Sequence, residues 1–325
     1  MGDAGKRGRL GDSVLDPATA VDLRTRRFTL LYQVVITPED YSYLSALLRT
    51  KSGLALGPGK EYLLESRLPP VARVYGFASV NELVATLRSG PHQELIKAVC
   101  DAMATGETFF FRDTVPFELM RTTILPELAD RCRRGGRALR IWSSAASTGQ
   151  EAYSIAMLLA DMSVQLSGVR VDLVATDFSS HALNRARRAI FTQIEVQRGL
   201  PERYLRQFFI NTPEGYRLGD DIRRRVAFRE LNLLESFRSL GQFDIVLCRN
   251  VLIYFDTMTK KDVLDRLSSA LTPGGYLFLG ATETAFGLTE RLLRVPDVPT
   301  SLHVRREDAE VAEKRLRGLQ AVTVA

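Results

Sequence analysis

Residues 139–160 read LRIWSSAASTGQEAYSIAMLLA. A short apolar strand (Leu139, Ile141, Trp142) runs into the small, polar turn Ser143-Ser144-Ala145-Ala146-Ser147-Thr148-Gly149. A helix follows, on which Ile155, Leu158 and Leu159 share one face. A turn of small side chains lets a ligand approach bare backbone, and the helix behind it offers free N–H groups and the positive end of its dipole. Glu151 falls in the first helical turn, where a carboxylate complements that dipole and can also point into the crevice. There is one glycine where a dinucleotide fingerprint has three, so a plain strand-to-helix turn stays open on these residues alone.

Toward the C-terminus, Val171, Leu173, Val174 and Ala175 form a second strand that ends in Asp177, with helix signals from Ser179 to Ile190. An acid at the end of the second strand, after a small-residue first loop, is where doubly wound folds hold a ribose. Two adjacent hydroxyls fit the two acceptor oxygens of a carboxylate. A capping Asp without a ligand is the alternative, and the pairing with the Gly149 turn weighs against it. An excursion begins at Arg198-Gly199-Leu200-Pro201. A short helix over 202–209 leads to the turn Asn211-Thr212-Pro213-Glu214-Gly215, flanked by Tyr216-Arg217-Leu218 and by residues 223–228, which can pair as strands. Residues 231–234 close the third strand's loop. Phe243, Ile245, Val246 and Leu247 then make a fully apolar fourth strand, as a central parallel strand requires. It ends in Arg249-Asn250-Val251-Leu252-Ile253-Tyr254-Phe255-Asp256. A helix over 259–271, a turn at Pro273-Gly274-Gly275, a fifth strand over 276–279 and one more over 301–304 follow, and 306–325 is a charged tail.

Toward the N-terminus, Thr105-Gly106-Glu107-Thr108-Phe109-Phe110-Phe111-Arg112-Asp113 opens a junction expected to be a linker over 105–123. Its three phenylalanines read either as an aromatic plug or as a holder for a cation over the neighbouring pocket. Residues 37–104 form a small all-helical unit. Thr37-Pro38-Glu39-Asp40 is a helix start, with a Thr cap, a Pro in the first position and acids in the first turn. Pro69-Pro70 is expected to kink or break the second helix. Ser79 caps a third, and Pro91 opens a fourth with Leu95, Ile96, Val99 and Met103 on one side. Residues 1–36 read as a mobile arm with an apolar end from Phe28 to Ile36.

The 325 residues allow two domains. No apolar run is long enough to span a bilayer, and the charged start lacks a signal-peptide core, so no membrane insertion is expected. Three widely spaced cysteines (Cys100, Cys132, Cys248) give neither a metal spacing nor a disulfide framework, and cytoplasmic localisation is the expectation. The net charge of +6 suggests an acidic partner without choosing one.

Several ordered blocks carry a family resemblance: Thr108-Phe109-Phe110-Phe111-Arg112, Ile141-Trp142-Ser143 through Ser147-Thr148-Gly149, Ala175-Thr176-Asp177, Cys248 through Asp256, and Pro273-Gly274-Gly275 with Gly280 and Glu283. Together they resemble the chemotaxis receptor methyltransferases of the CheR family, which are S-adenosylmethionine-dependent protein-glutamate O-methyltransferases. The resemblance covers about residues 37–305, and its most specific block is Arg249 through Phe255. It implies an α/β fold: a Rossmann-like methyltransferase domain (124–305) preceded by a small all-helical domain (37–104), with a small antiparallel β insert at about 198–228.

The resemblance also implies S-adenosylmethionine as cofactor, S-adenosylhomocysteine as product, and no metal. Its cofactor contacts fall on Thr108, Arg112, Glu151, Asp177, Asn232, Leu233, Asn250 and Val251. Arg112 and Tyr254 are its catalytic candidates, Arg112 orienting the incoming carboxylate and Tyr254 lying beside the methyl. The implied partner is the cytoplasmic signalling domain of a chemoreceptor, with no nucleic acid. Nucleic-acid amine methyltransferases usually place Asn/Asp-Pro-Pro-Tyr/Phe after the fourth strand, where this chain has Arg249-Asn250-Val251-Leu252. Three departures stand out: Gly106 where the family commonly has Asn, Gln150 where it has Glu, and Pro69-Pro70 where it carries basic residues. Gly106 and Gln150 leave a non-enzymatic, cofactor-sensing module that docks on receptor arrays as the alternative, while Pro69-Pro70 weighs against a basic helix docking on an acidic receptor surface. The segment from Phe209 to Asn232 looks a few residues short of those members that bind a receptor-tail peptide by strand addition. The expectation is therefore independence from a receptor C-terminal pentapeptide.

Overall fold

The computed structural model describes residues 36–315. The expected N-terminal arm, Ile36 apart, and residues 316–325 of the expected tail lie outside the described residues. The helical unit consists of α1 (Pro38–Ser52), α2 (Glu61–Val74), α3 (Val80–Ser89) and α4 (Gln93–Met103). α1 starts as its sequence dictates: the Thr37 hydroxyl accepts the Asp40 N–H at 3.1 Å, and Pro38 supplies a preset φ. Ser79 accepts the Glu82 N–H at 3.2 Å, and the Glu82 carboxylate reaches back to the Ala78 N–H at 2.7 Å. Leu44, Leu48, Leu64, Leu68, Leu83 and Val99 meet in one core. The expected break at Pro69-Pro70 does not occur, and α2 runs unbroken through both prolines. Leu64, Leu68, Val71 and Ala72 continue one buried face across them, so packing outweighs the roughly 3 kcal/mol cost of an interior proline.

Residues 105–123 are not a linker. They carry α5 (Val115–Leu119) and most of a single π turn (Met120–Ile124), and Phe110, Phe117 and Met120 are fully buried in the same core as Leu139 and Ile141 of the sheet. The segment is thus the first part of the α/β domain, because its phenylalanines find their partners there. The remaining elements are α6 (Leu125–Arg134), β1 (Leu139–Ser144), α7 (Gln150–Asp161), β2 (Val171–Asp177), α8 (Ser180–Arg188), β3 (Ile190–Phe191), α9 (Gln193–Gln197) and α10 (Glu202–Phe208). After these come β4 (Phe209–Thr212), β5 (Gly215–Leu218), α11 (Asp220–Arg223), β6 (Val226–Glu230), β7 (Phe243–Cys248), α12 (Thr257–Ala270), β8 (Leu271–Leu279), β9 (Leu292–Arg294) and β10 (Leu302–Arg305).

The large sheet has the order β6-β2-β1-β7-β8-β10-β9. Its first five strands are parallel, and β10 runs antiparallel to both neighbours. Period-two alternation divides the central strands between two cores. Leu139, Ile141, Ile245, Leu247, Tyr276 and Phe278 face one core, while Trp142, Val246, Cys248, Leu277 and Leu279 face the other. Pro273-Gly274-Gly275, expected as a turn, lies inside β8, where a register shift against β7 absorbs it.

The expected insert over 198–228 is corrected at both ends. Residues 226–228, expected to pair with Tyr216-Arg217-Leu218, instead lie parallel to β2, from Leu173 opposite Val226 to Asp177 opposite Glu230. Val226 is buried there and Phe228 packs on Tyr153 with ring centroids 5.5 Å apart, which outcompetes a local hairpin. The small sheet is β3-β5-β4, so it begins at Ile190 and ends at Leu218. It clasps the plug: Phe110 meets Phe191 at 4.9 Å and Phe209 at 5.8 Å. Gly199 (φ 82°) lies so close to the plug that a Cβ would fall 2.1 Å from the Phe110 carbonyl oxygen.

His303 on β10 is 1 % exposed, and among the described residues neither ring nitrogen has a hydrogen-bond partner. Burial pushes its pKa down from 6.5 to about 4. Below pH 6.5 the unfolded chain takes up a proton that the native chain refuses, so stability falls with pH until about pH 4. His303→Leu is expected to remove about 3 kcal/mol of that loss. Unfolding midpoints of the two proteins should converge, or cross in favour of the variant, between pH 7 and pH 4; a constant gap would refute the assignment.

Candidate active site

The chain winds from β1 through β2 to β6 on one side and resumes at β7 on the other side of β1. A crevice therefore opens beyond the carboxyl ends of β1 and β7. The β1–α7 turn is built from left-handed backbone at Ala145 (φ 54°), Ser147 (φ 51°) and Gly149 (φ 95°). The two non-glycine positions each cost about 1–2 kcal/mol. Asp177 offsets part of this: its Oδ2 accepts the Ser147 N–H at 2.8 Å and its Oδ1 accepts the Ser179 N–H at 2.9 Å. Burial holds the Asp177 carboxyl above the usual carboxylate range, against the pull of these donors. Each oxygen still has a second lone pair for a ligand.

Arg249, at the end of β7, is the hub of the site. Its side chain is 1 % exposed and reaches Glu151 at 2.9 Å, Asp113 at 2.6 Å and the Arg112 carbonyl at 2.8 Å. Glu151 also accepts the Ser143 hydroxyl at 2.8 Å. The first helical turn of α7, the plug and β7 are thereby locked together. Beside it, Asn250 adopts φ 59°, and the buried Glu283 carboxylate accepts N–H groups from Asn250 (2.8 Å), Gly280 (2.7 Å) and Ile253 (3.2 Å). A Cβ on Gly280 would fall 2.9 Å from the Asn250 backbone nitrogen, so only glycine fits.

Arg112 donates to the Glu107 carbonyl at 2.8 Å and lies 5.4 Å from the centre of the Phe109 ring. Arg198 lies 4.4 Å from the same ring. Asn232 spends its side chain on structure, donating to the Lys51 carbonyl at 2.7 Å and accepting the Leu234 N–H at 3.0 Å. The seam between the domains continues with the Ala55 N–H on the Tyr254 carbonyl (2.9 Å) and the pair Arg49–Asp256 (2.6 Å).

These parts enclose a cleft of about 380 Å³, within the roughly 300–1,000 Å³ of small-molecule sites. Every residue expected at the cofactor lines it: Thr108 and Arg112 from the plug, Glu151 from α7, Asp177 from β2, Asn232 and Leu233 after β6, and Asn250 and Val251 after β7. Tyr254 lines it as well. The helical domain contributes Ser52, Leu54, Cys100, Asp101 and Ala104. Sequence reasoning named no residue of that domain, and it gave Arg249 no role beyond its block. An arginine directly after a fully apolar strand was the available signal.

Fold and cleft define a Rossmann-like S-adenosylmethionine-dependent methyltransferase. Residues 39–104 match the CheR methyltransferase all-alpha domain, and residues 106–297 match the CheR methyltransferase SAM binding domain. The chain belongs to the CheR methyltransferase family. It is 40% identical over 261 residues to a chemotaxis protein methyltransferase of Vibrio parahaemolyticus, a match covering 79% of this chain and 94% of that one. It is 42% identical over 264 residues to chemotaxis protein methyltransferase 1 of Pseudomonas aeruginosa, covering 80% of this chain and 95% of that one. The residues present fit the cofactor. Asp177 and Glu151 are acceptors for hydroxyl and ammonium groups, and Leu231, Leu233 and Val251 offer apolar walls for a purine. Among the described residues, no helix is long and apolar enough to cross a membrane.

Proposed function

We propose that this protein transfers the methyl group of S-adenosylmethionine to glutamate side chains in the cytoplasmic signalling domain of chemoreceptors, giving methyl esters. The observation that carries this reading is the convergence of Asp177, Asn250, Arg112 and Tyr254 on one cleft, in a chain matched over both domains by chemotaxis methyltransferases. That match does not favour a non-enzymatic sensing module.

The cofactor supplies an electrophilic methyl carbon on a positively charged sulfur. A glutamate, with a reference pKa of about 4.3, arrives ionised at neutral pH and is already the nucleophile. The acceptor oxygen would take the methyl group, with the electron pair of the broken carbon–sulfur bond leaving on sulfur. No proton moves, so the protein's task is alignment, worth up to roughly 7–11 kcal/mol in well-oriented systems. In this reading Asp177 holds the ribose, and Leu233 and Val251 flank the base. Thr108, Glu151, Asn232 and Asn250 complete the cofactor set, the last three through positions already fixed by their own hydrogen bonds. Arg112 orients the acceptor carboxylate, and Tyr254 borders the methyl. Independence from a receptor-tail pentapeptide is part of the proposal. The outer strands of the small sheet, β4 with four residues and β3 with two, are short for pairing with a five-residue strand.

Labelled methyl transfer to receptor cytoplasmic fragments tests the reading. Alkali-labile label is expected at equal rates with and without the fragment's last five residues, and strongly reduced by Arg112→Lys, which keeps the charge but loses the planar fork. Alkali-stable label would rule out the ester. A rate that needs the terminal residues would show that the small sheet does bind the tail.

A further inference from the structure

Asp101, in the last turn of α4, breaks two local rules. A carboxylate there faces the negative end of its own helix, where cations are favoured, and no basic residue shares that turn. Among the described residues its Oδ1 is also buried with no hydrogen-bond partner, although the carboxyl takes a hydrogen bond from the Ser179 side chain. An unpaired buried acceptor is costly, and such violations concentrate at functional positions. Lys97, one turn earlier, is committed to Glu230 across the seam. Burial holds the Asp101 carboxyl above the usual range, Glu230 pushes the same way, and the Ser179 hydroxyl, Lys97 and His181 pull against it.

Those neighbours locate Asp101. Ser179 and His181 follow β2, Glu230 ends β6, and the carboxyl of Asp177 also feels Asp101. Asp101 thus stands over the carboxyl ends of β2 and β6, where it lines the cleft together with Asp177, Phe178 and Leu231. Oδ1 is sealed from the cleft, so the oxygen available to a ligand is Oδ2.

We propose that Asp101 accepts a hydrogen bond from the adenosine half of the cofactor, which makes the helical domain part of the cofactor site. The donors available on that half are the ribose hydroxyls and the exocyclic amine of adenine. The assignment needs only cofactor binding and is independent of which acceptor is methylated.

Calorimetric titration of the full chain with S-adenosylhomocysteine tests it without turnover. Asp101→Asn is nearly isosteric and keeps one acceptor oxygen but loses the charge, and is expected to raise Kd about five- to tenfold. Without ligand its unfolding midpoint should be unchanged or higher, because a negative charge leaves a helix C-terminus. Two analogues identify the donor: S-inosylhomocysteine, which lacks the amine, and the 2′- and 3′-deoxy forms of S-adenosylhomocysteine. The analogue lacking the donor that Asp101 takes should bind wild type and variant equally, while the others still discriminate. Equal affinity of both proteins for S-adenosylhomocysteine overturns the proposal. So does the same loss for every analogue together with a lowered midpoint, which would make Asp101 a seam residue only.

Discussion

Arg249→Met is expected to destabilise the α/β domain by about 3–5 kcal/mol, the cost of breaking a buried ion pair from one side. Glu151 is 12 % exposed and would be left, among the described residues, with the Ser143 hydroxyl as its side-chain partner, while the Arg112 carbonyl would lose its donor. Asp113, at 37 % exposure, can rehydrate, so Asp113→Asn should cost no more than about 1 kcal/mol. Trp142 is the chain's single tryptophan and is fully buried beside Phe237 and Phe243, so its fluorescence follows this domain alone. Urea unfolding monitored at Trp142 should show the midpoint of the methionine variant far below that of Asp113→Asn. Similar midpoints would mean that the lock of two carboxylates and one carbonyl around Arg249 is decorative.

Asp177→Ala is expected to weaken S-adenosylhomocysteine binding by roughly ten- to several-hundred-fold, since a hydrogen bond to a charged group contributes about 1.5–3 kcal/mol. The structure requires a second effect, because the same carboxylate holds the Ser147 and Ser179 N–H groups. Losing both should cost about 1–3 kcal/mol and release the left-handed turn at Ser147. Asp177→Asn keeps one acceptor oxygen and should recover part of the stability. Titration with S-adenosylhomocysteine separates the effects: unchanged affinity in a folded alanine variant would remove Asp177 from the ribose.

The legible parts of the chain were those with a local cause. The apolar runs of β1 and β7 and the caps at Thr37 and Ser79 are such parts, and the structure reproduces them. The cleft was legible as well, because loops at the carboxyl ends of parallel strands must meet at a switch point. What escaped the sequence was decided at long range. Residues 226–228 follow three arginines and look like a hairpin arm, yet burial against Tyr153 draws them into the large sheet. Pro69-Pro70 broke a local rule that packing overrode. Arg249 and Asp101 act through partners 98 and 136 residues away or through a cleft, and no spacing rule reaches that far.

The seam at Gly53 bears on how long a bound nucleoside stays. A Cβ on Gly53 would fall 2.6 Å from the Phe255 ring, so α1 ends pressed directly against the loop that carries Tyr254. With Ala55 on the Tyr254 carbonyl and Asn232 on that of Lys51, this contact leaves no slack between the domains. A ligand walled in by both domains leaves either through the mouth by which it entered or by parting these contacts. Residence time is then set by the stiffness of a glycine–phenylalanine seam as much as by the hydrogen bonds within the cleft.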